Sequence, residues 1–283
     1  MIPISISKFS SLNFDHKWRL GFQTPVVYEQ KFRVGDTVRV QYSVPKQAPF
    51  RIIPQLVDRD TEEVTELTPS LISLENNDTY DVADVSFIAP GAGLFTFRIV
   101  QGTTPEHIAA YSDFCVEEDS SDTVLFGYEN RRDEFDVFFR GRPFCFRVEG
   151  VFLPSERTFD VENETFRDQR YTLTQLSALP YSKQTLTVGG GYGVPYWVAE
   201  KINLILSMTD ISINGIPYVR SEGAAPELTQ LHNDYPLFVY KIELERKKTG
   251  YGLDADIFEA VPIVTSEGDE VTDSAGDTIM GVF

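Results

Sequence analysis

Thr185–Glu227, TLTVGGGYGVPYWVAEKINLILSMTDISINGIPYVRSEGAAPE, decides how the second half of the chain is read. A short β-branched run, Thr185 to Val188, meets Gly189, Gly190, Gly191 and Gly193, and Pro195 follows. Proline suits the first turn of a helix, where its missing N–H has no intrahelical partner to lose. Val198, Ile202 and Ile205 then fall at i, i+4 and i+7, with Trp197 and Leu204 widening the stripe. That spacing predicts a helix over 195–208. Asp210 to Ile213 alternates polar and apolar, Asn214-Gly215 suits a two-residue type I′ turn, and Pro217 to Arg220 leads back. A hairpin over 210–220 is expected straight after the helix.

A strand, a glycine loop and a helix N-terminus together invite a phosphate. The spacing refuses it. No Lys follows the glycines as a P-loop requires, and G-x-G-x-x-G fails because the sixth position is Val194 or Tyr196. The glycines are read as a tight turn.

Composition sets the outer limits. The 283 residues include 21 Phe, 13 Tyr and 2 Trp but only 3 Met, which favours strands over helices. The length allows two domains. A net charge of −18 argues against nucleic acid and anionic lipid as partners, since both need clustered Lys and Arg. The opening MIPISISKFSSLNF lacks a basic region followed by an apolar core, so no signal peptide is expected, and no apolar run is long enough to span a membrane. Cys115 and Cys145 each sit in an aromatic strand-like run and are expected to be buried thiols of a reducing compartment.

The first domain is expected over 1–118. Lys31 to Val44 alternates on either side of Gly35-Asp36, a hairpin-like pair. Arg51–Val57, Glu63–Leu67, Tyr80–Ile88, Leu94–Val100 and Ser112–Val116 read as further strands. Short strands at this spacing indicate an antiparallel sandwich. Leu94–Val100 places Phe95, Phe97 and Ile99 on one face. The segment PGAGLFTFRIV…YSDFCVEED resembles the last two strands of an immunoglobulin-like domain, without a Cys…Trp…Cys pattern. Residues 119–122 are a polar linker lacking the ordered ligand spacing of a calcium loop.

The second domain is expected over 123–248: β-rich, with the helix and hairpin above and strands at 123–128, 135–139, 144–149, 171–173 and 236–245. It holds the Arg-rich part of the chain, Arg131, Arg132, Arg140, Arg142, Arg147, Arg157, Arg167 and Arg170, interleaved with acids. Interleaving suggests ion pairs and an interface rather than a phosphate patch. Thr249–Phe283 carries eight acidic residues and no Lys or Arg. Such a tail offers too little apolar surface to order alone, except for the islands Ile257–Val264 and Ile279–Phe283. It is expected to be an extended arm docked on a neighbouring subunit or partner. The interface expectation therefore rests on Arg131, Arg132, Arg140, Arg142, Ile279, Met280, Val282 and Phe283.

Catalysis finds little support. His16, His107 and His232 are far apart, and neither a G-x-S-x-G elbow nor a CxxC pair occurs. With 43 acidic residues, any chosen carboxylate pair is uninformative. No catalytic, cofactor or metal residue is assigned, and no small-molecule ligand is evident.

FCFRVEG, then FRDQRYTLTQLSALPYSKQTLTVGGGYGVPYWVAEKINLILSMTDISINGIPYVRSEGA, then Tyr235-Pro236-Leu237, resembles proteins of tailed bacteriophages and prophages of Bacteroidetes, the crAss-like group among them. The shared features are the Gly-rich turn, a G-[IV]-P step, Lys201-Ile202-Asn203 on a helix, and the Asp210–Gly215 hairpin. The resemblance covers 123–246. It implies a non-enzymatic virion subunit of the neck, tail or baseplate, made in the bacterial cytoplasm and assembling with copies of itself in a ring and with other virion proteins. The other class of function is a surface-binding module that takes glycan or host protein through the N-terminal sandwich.

Overall fold

A computed structural model describes residues 4–14, 28–47, 51–73, 78–102, 107–119, 121–130, 141–167, 169–232, 235–247, 261–262 and 280–281. Among the described residues the chain is mostly β with one helix. It divides into two compact units, one of residues 1–157 with 184–245 and the other of 158–183 with 246–283.

In chain order the first strands are β1 (Gln30–Arg33), β2 (Thr37–Pro45), β3 (Ile52–Asp58), β4 (Val64–Glu66), β5 (Ser70–Ser73), β6 (Tyr80–Ile88), β7 (Gly93–Gln101) and β8 (His107–Glu117). They form two sheets, ordered β1-β8-β7-β3-β4 and β2-β6-β5. Both inner faces feed one core: Phe32, Val38, Val40, Tyr42, Val85, Phe97, Ile99 and Phe114 are all buried. Phe87 stacks on Phe97 from the other sheet, ring centroids 6.0 Å apart. This is the expected sandwich, with Phe95, Phe97 and Ile99 facing in. β1 adds to β8 in parallel, whereas β2–β6, β3–β4, β3–β7, β5–β6 and β7–β8 run antiparallel.

One local expectation fails here. Gly35-Asp36 does not close a hairpin: β1 pairs with β8 while β2 pairs with β6. The turn carries the chain from one sheet to the other, because Phe32 and Val38 must enter the same core from opposite layers. Asp36 bonds back to Arg33 N–H with its Oδ2 (2.8 Å), and its backbone N–H donates to Arg33 O (2.9 Å). Gly35 supplies the positive φ of +91°.

The second set of strands is β9 (Thr123–Glu129), β10 (Phe144–Arg167), β11 (Leu173–Val188), β12 (Val194–Pro195), then α1 (Tyr196–Ile205), β13 (Asp210–Ile213), β14 (Ile216–Arg220), β15 (Glu227–His232) and β16 (Tyr235–Arg246). The sheet order is β11-β10-β9-β13-β14-β16-β12, and β11 also pairs with β16. That last pairing closes β9, β10, β11, β16, β14 and β13 into a ring. Its core takes Val124, Phe126 and Tyr128 from β9, Phe144, Phe146 and Val148 from β10, and Tyr240, Ile242 and Leu244 from β16. Helix α1 lays Val198, Ile202 and Ile205 against the same core.

The helix is shorter than expected at both ends. Pro195 is its N-cap, with an extended backbone (φ −63°, ψ 155°), and belongs to β12. Ser207 N–H donates to Leu204 O and Met208 N–H to Ile205 O, so the helix closes with tight three-residue turns. The hairpin β13–β14 forms as read, with Asn214 and Gly215 at φ +51° and +83°. Two strands run far beyond expectation. The reading stopped one at 149 and began the next at 171–173, yet β10 spans 24 residues and β11 spans 16. The expected strand over 135–139 lies outside the described residues. A two-stranded segment β17 (Val261–Pro262) with β18 (Met280–Gly281) is the described part of the expected arm.

The first hydrophobic core is built from residues up to 116 and the second from 124 onward, with Phe9 added to the second. Both lie within one compact unit.

The glycine turn gives a sharp prediction. A Cβ on Gly189, at φ +75°, would sit 2.8 Å from Phe238 O and 2.9 Å from Val194 N, both backbone atoms. On Gly191 it would meet nothing within 4 Å. Left-handed strain of about 1–2 kcal/mol adds to the clash at Gly189. Gly189→Ala should therefore lose at least about 2 kcal/mol by urea titration and Gly191→Ala less than about 0.5 kcal/mol. Equal losses would show that the turn is not held as described.

Candidate functional site

The polar groups that the sequence leaves unexplained gather on a seam between the two cores. Arg147 lies on β10 with its neighbours Phe146 and Val148 turned into the second core, so its guanidinium points the other way. There it meets Asp36 in a two-pronged pair: Nε donates to Oδ2 at 2.6 Å and Nη2 to Oδ1 at 2.9 Å. Its Nη1 donates to Thr123 Oγ1 at 2.9 Å. The side chains are only 9% and 7% exposed, so this pair has left water. Planar guanidinium meeting carboxylate in this way fixes orientation as well as distance. The Asp36 backbone carbonyl is itself engaged by Ala89 N–H at 2.7 Å. Nearby, Lys31 bridges Glu117 (3.1 Å) and Glu149 (2.9 Å), one carboxylate from each side of the seam.

The N-terminal segment fastens the seam from a second direction. Ser7 N–H donates to Gln41 O (2.9 Å), Gln41 N–H to Ser10 Oγ (3.1 Å), and Ser11 N–H to Arg39 O (2.7 Å), which lays residues 5–11 along β2. Its carbonyls are held by the other core. Tyr128 OH donates to Phe9 O at 2.5 Å, and Lys201 Nζ donates to Ser10 O. Phe9 itself sits in the second core while Leu12 sits in the first. Cys145 Sγ donates to Thr37 O across the same seam.

Burial shapes the chemistry of these groups. The Cys145 thiol is pushed up to about 11, first by burial and then by the charge of Asp36. It stays protonated at neutral pH and acts as a weak donor. Burial also pulls the Lys201 amine down to about 7, and Cys145 opposes this. The amine stands 5.0 Å from the centre of the Phe146 ring, whose face attracts a cation. Between residues 6–14 and α1 lies a cavity of about 670 Å³, walled by Ile6, Leu12, Phe14, Trp197, Lys201 and Leu204. Tyr28 covers Trp197 edge-on at 5.9 Å.

Of the expected interface residues, Arg142 is exposed. Arg131, Arg132, Arg140, Ile279, Val282 and Phe283 lie outside the described residues, as does the side chain of Met280. Both cysteines are free and half-buried. His107 is exposed at the start of β8, while His16 and the side chain of His232 lie outside the described residues. The reading passed over Asp36 and Lys201. One signal was available: Lys201 falls three residues after Val198 and four before Ile205, on the apolar stripe where a charge is costly.

A second feature belongs to the unit holding 158–183. In β10 and β11, Tyr181 OH donates to Asp160 Oδ2 at 2.9 Å and Ser177 Oγ to Glu164 Oε2 at 3.4 Å. Period-two alternation then puts Asp160, Glu162 and Glu164, together with Phe166 and Leu173, on one face of this ribbon, and Phe159, Val161 and Leu176 on the other. The latter three are 78%, 42% and 60% exposed. Asp160 is held below the usual carboxylate range, first by the Val161 N–H and then by the Tyr181 hydroxyl.

Compared with protein families, with curated proteins and with solved structures, the chain matches none.

Proposed function

We propose that this chain is a non-enzymatic structural subunit of a phage virion, at the neck, tail or baseplate, which assembles through protein–protein contacts. The observation that carries the reading is the ribbon 158–183. A two-stranded hairpin is marginally stable alone, and this one keeps Val161, Phe166, Leu173 and Leu176 exposed. Large apolar side chains gathered on one exposed element mark a contact surface. The phage resemblance of 123–246 supplies the kind of assembly. The locked seam supports it, because a body that shares load with neighbours must hold its two cores in one orientation. A charge of −18 keeps free copies apart until a specific surface is offered.

Among the described residues of the sandwich, Tyr111 is the one exposed aromatic in the set of large exposed hydrophobic side chains, so a sugar-stacking row finds no footing there. Mass spectrometry of purified phage particles from the strain that carries the gene should find the chain alongside capsid and tail proteins. Light scattering should give an oligomer whose mass falls when residues 249–283 are removed. Absence from particles, together with a monomer unaffected by truncation, overturns the reading.

A further inference from the structure

We infer that the cavity between residues 6–14 and α1 binds a small organic carboxylate with an apolar body, its carboxylate held at Lys201. The inference is independent of the assembly reading above.

The helix supplies one wall at regular spacing. Trp197, Lys201 and Leu204 fall at i, i+4 and i+7 and line the cavity together. Ile6, Leu12 and Phe14 line it from the N-terminal segment. Its volume of about 670 Å³ lies within the range of small-ligand sites, about 300–1,000 Å³. The lining differs in depth: Lys201 and Leu12 are buried, while Lys8, Glu200 and Asn203 are exposed and form the rim.

Lys201 gives the cavity its chemistry. An ammonium has three donors, and this one uses a single donor on Ser10 O. The centre of the Phe146 ring lies 5.0 Å away, and among the described residues no carboxylate pairs with the amine. A buried ammonium without a counter-ion has lost its water and met no opposite charge. One turn earlier, Trp197 Nε1 is also buried and has no acceptor. Two unfilled donors on one helix face match the two oxygens of a carboxylate. The apolar walls select the rest of the ligand. Inorganic phosphate would give up its hydration against Leu12, Phe14 and Leu204 and gain nothing from them. A neutral apolar molecule would cover those walls and leave the amine as it was. A monocarboxylate with an aromatic or aliphatic body satisfies both halves of the site.

Binding is tied to a proton. Burial holds the free amine down to about 7, so below that pH it is already charged, whereas above it a proton must be taken up with the ligand. Affinity should therefore fall as pH rises through 7. The titratable groups around Lys201 are Cys145 on β10, whose thiol is pushed up to about 11, and Lys8 and Glu200 at the exposed rim.

The test is calorimetric titration of the full chain with 3-phenylpropionate, 3-phenylpropanol, 3-phenylpropylamine and acetate at pH 6, and with 3-phenylpropionate again at pH 8.5. The aromatic acid should saturate one site, at least about tenfold tighter than the alcohol, the amine or acetate, and at least about fivefold tighter at pH 6 than at pH 8.5. Lys201→Met should remove that binding while still unfolding cooperatively. The inference is overturned by no saturable binding of the acid at up to about 5 mM, or by an alcohol or acetate that binds as well. Equal affinity at the two pH values overturns it too, as does a folded Lys201→Met variant that still binds the acid. Should the variant fail to fold, the ligand series and the pH dependence of the parent decide alone.

Discussion

Asp36→Ala should destabilise the chain by about 3–5 kcal/mol, the loss that follows when one partner of a buried ion pair is removed. The reason is the charge left behind. Arg147 is 9% exposed and anchored by Thr123, so it cannot turn to water without breaking the seam. Asp36 also accepts from Arg33 N–H in the turn between sheets, and that donor would lose its partner as well. Arg51–Glu66 is the built-in contrast: 3.7 Å apart and 69% and 53% exposed, it should contribute less than about 1 kcal/mol. Urea titration of Asp36→Ala and Glu66→Ala measures both. Asp36→Leu combined with Arg147→Met should recover most of the loss, since an apolar pair leaves no stranded charge. A loss below about 1 kcal/mol for Asp36→Ala would show that the pair is solvated and that the two cores are not locked by it.

Lys201→Met should have the opposite sign. The folded-state amine is pulled down to about 7 by burial, whereas an unfolded lysine titrates near 10.4. Below pH 7 both states bind the proton, and the folded chain bears the whole cost of a buried ammonium. Between pH 7 and about 10.4 the unfolded state holds the proton that the folded state has released, so stability rises with pH by up to about 1.4 kcal/mol per unit. Cys145 works against this from about 8.5 upward, because its folded thiol titrates at about 11 and the folded state keeps that proton longer. The clean window is thus pH 7 to about 8.5. Methionine removes the titration and retains the packing, at the loss of the bond to Ser10 O. The variant should be more stable than the parent at pH 6 by about 2 kcal/mol or more, with a flatter slope through the window. Thermal unfolding of both proteins at pH 6, 7 and 8.5 decides it. Parallel slopes would mean that Lys201 reaches water in the folded state.

The sandwich was legible because each strand is buried on one side only. Phe95, Phe97 and Ile99 alternate with Thr96 and Arg98, and that pattern survives in the sequence without knowledge of its neighbours. The hairpin was legible because Asn214-Gly215 has one comfortable turn to make. The seam was not. Along β10 the sequence marks Cys145 as a buried thiol and Arg147 as one of an ion-paired set, and nothing local announces that a second core covers them. Asp36 looked like a turn residue and is one; its second role depends on a partner 111 positions away. The reach of β10 and β11 was hidden for a related reason: over 154–167 the strand is exposed at nearly every position and mixes polar residues with Phe159, Val161 and Phe166, so no buried face imposes an alternation. Arg147 belongs to the Arg-rich set of the sequence, and nothing in that set marks it as the member with Asp36 opposite.

The Phe9–Ser10 clasp also sets an order of events. These residues leave the ribosome well before the groups that hold them: Tyr128 lies 119 positions on from Phe9 and Lys201 lies 191 on from Ser10. At roughly 5–20 residues per second, the sandwich strands can pair while Phe9 still waits for a core that has not been made. Contacts of such long separation close slowly. Phe9 and Ser10 are thus made early and settle late, and a nascent chain stalled before residue 201 would present Phe9 to chaperones with its sandwich already formed.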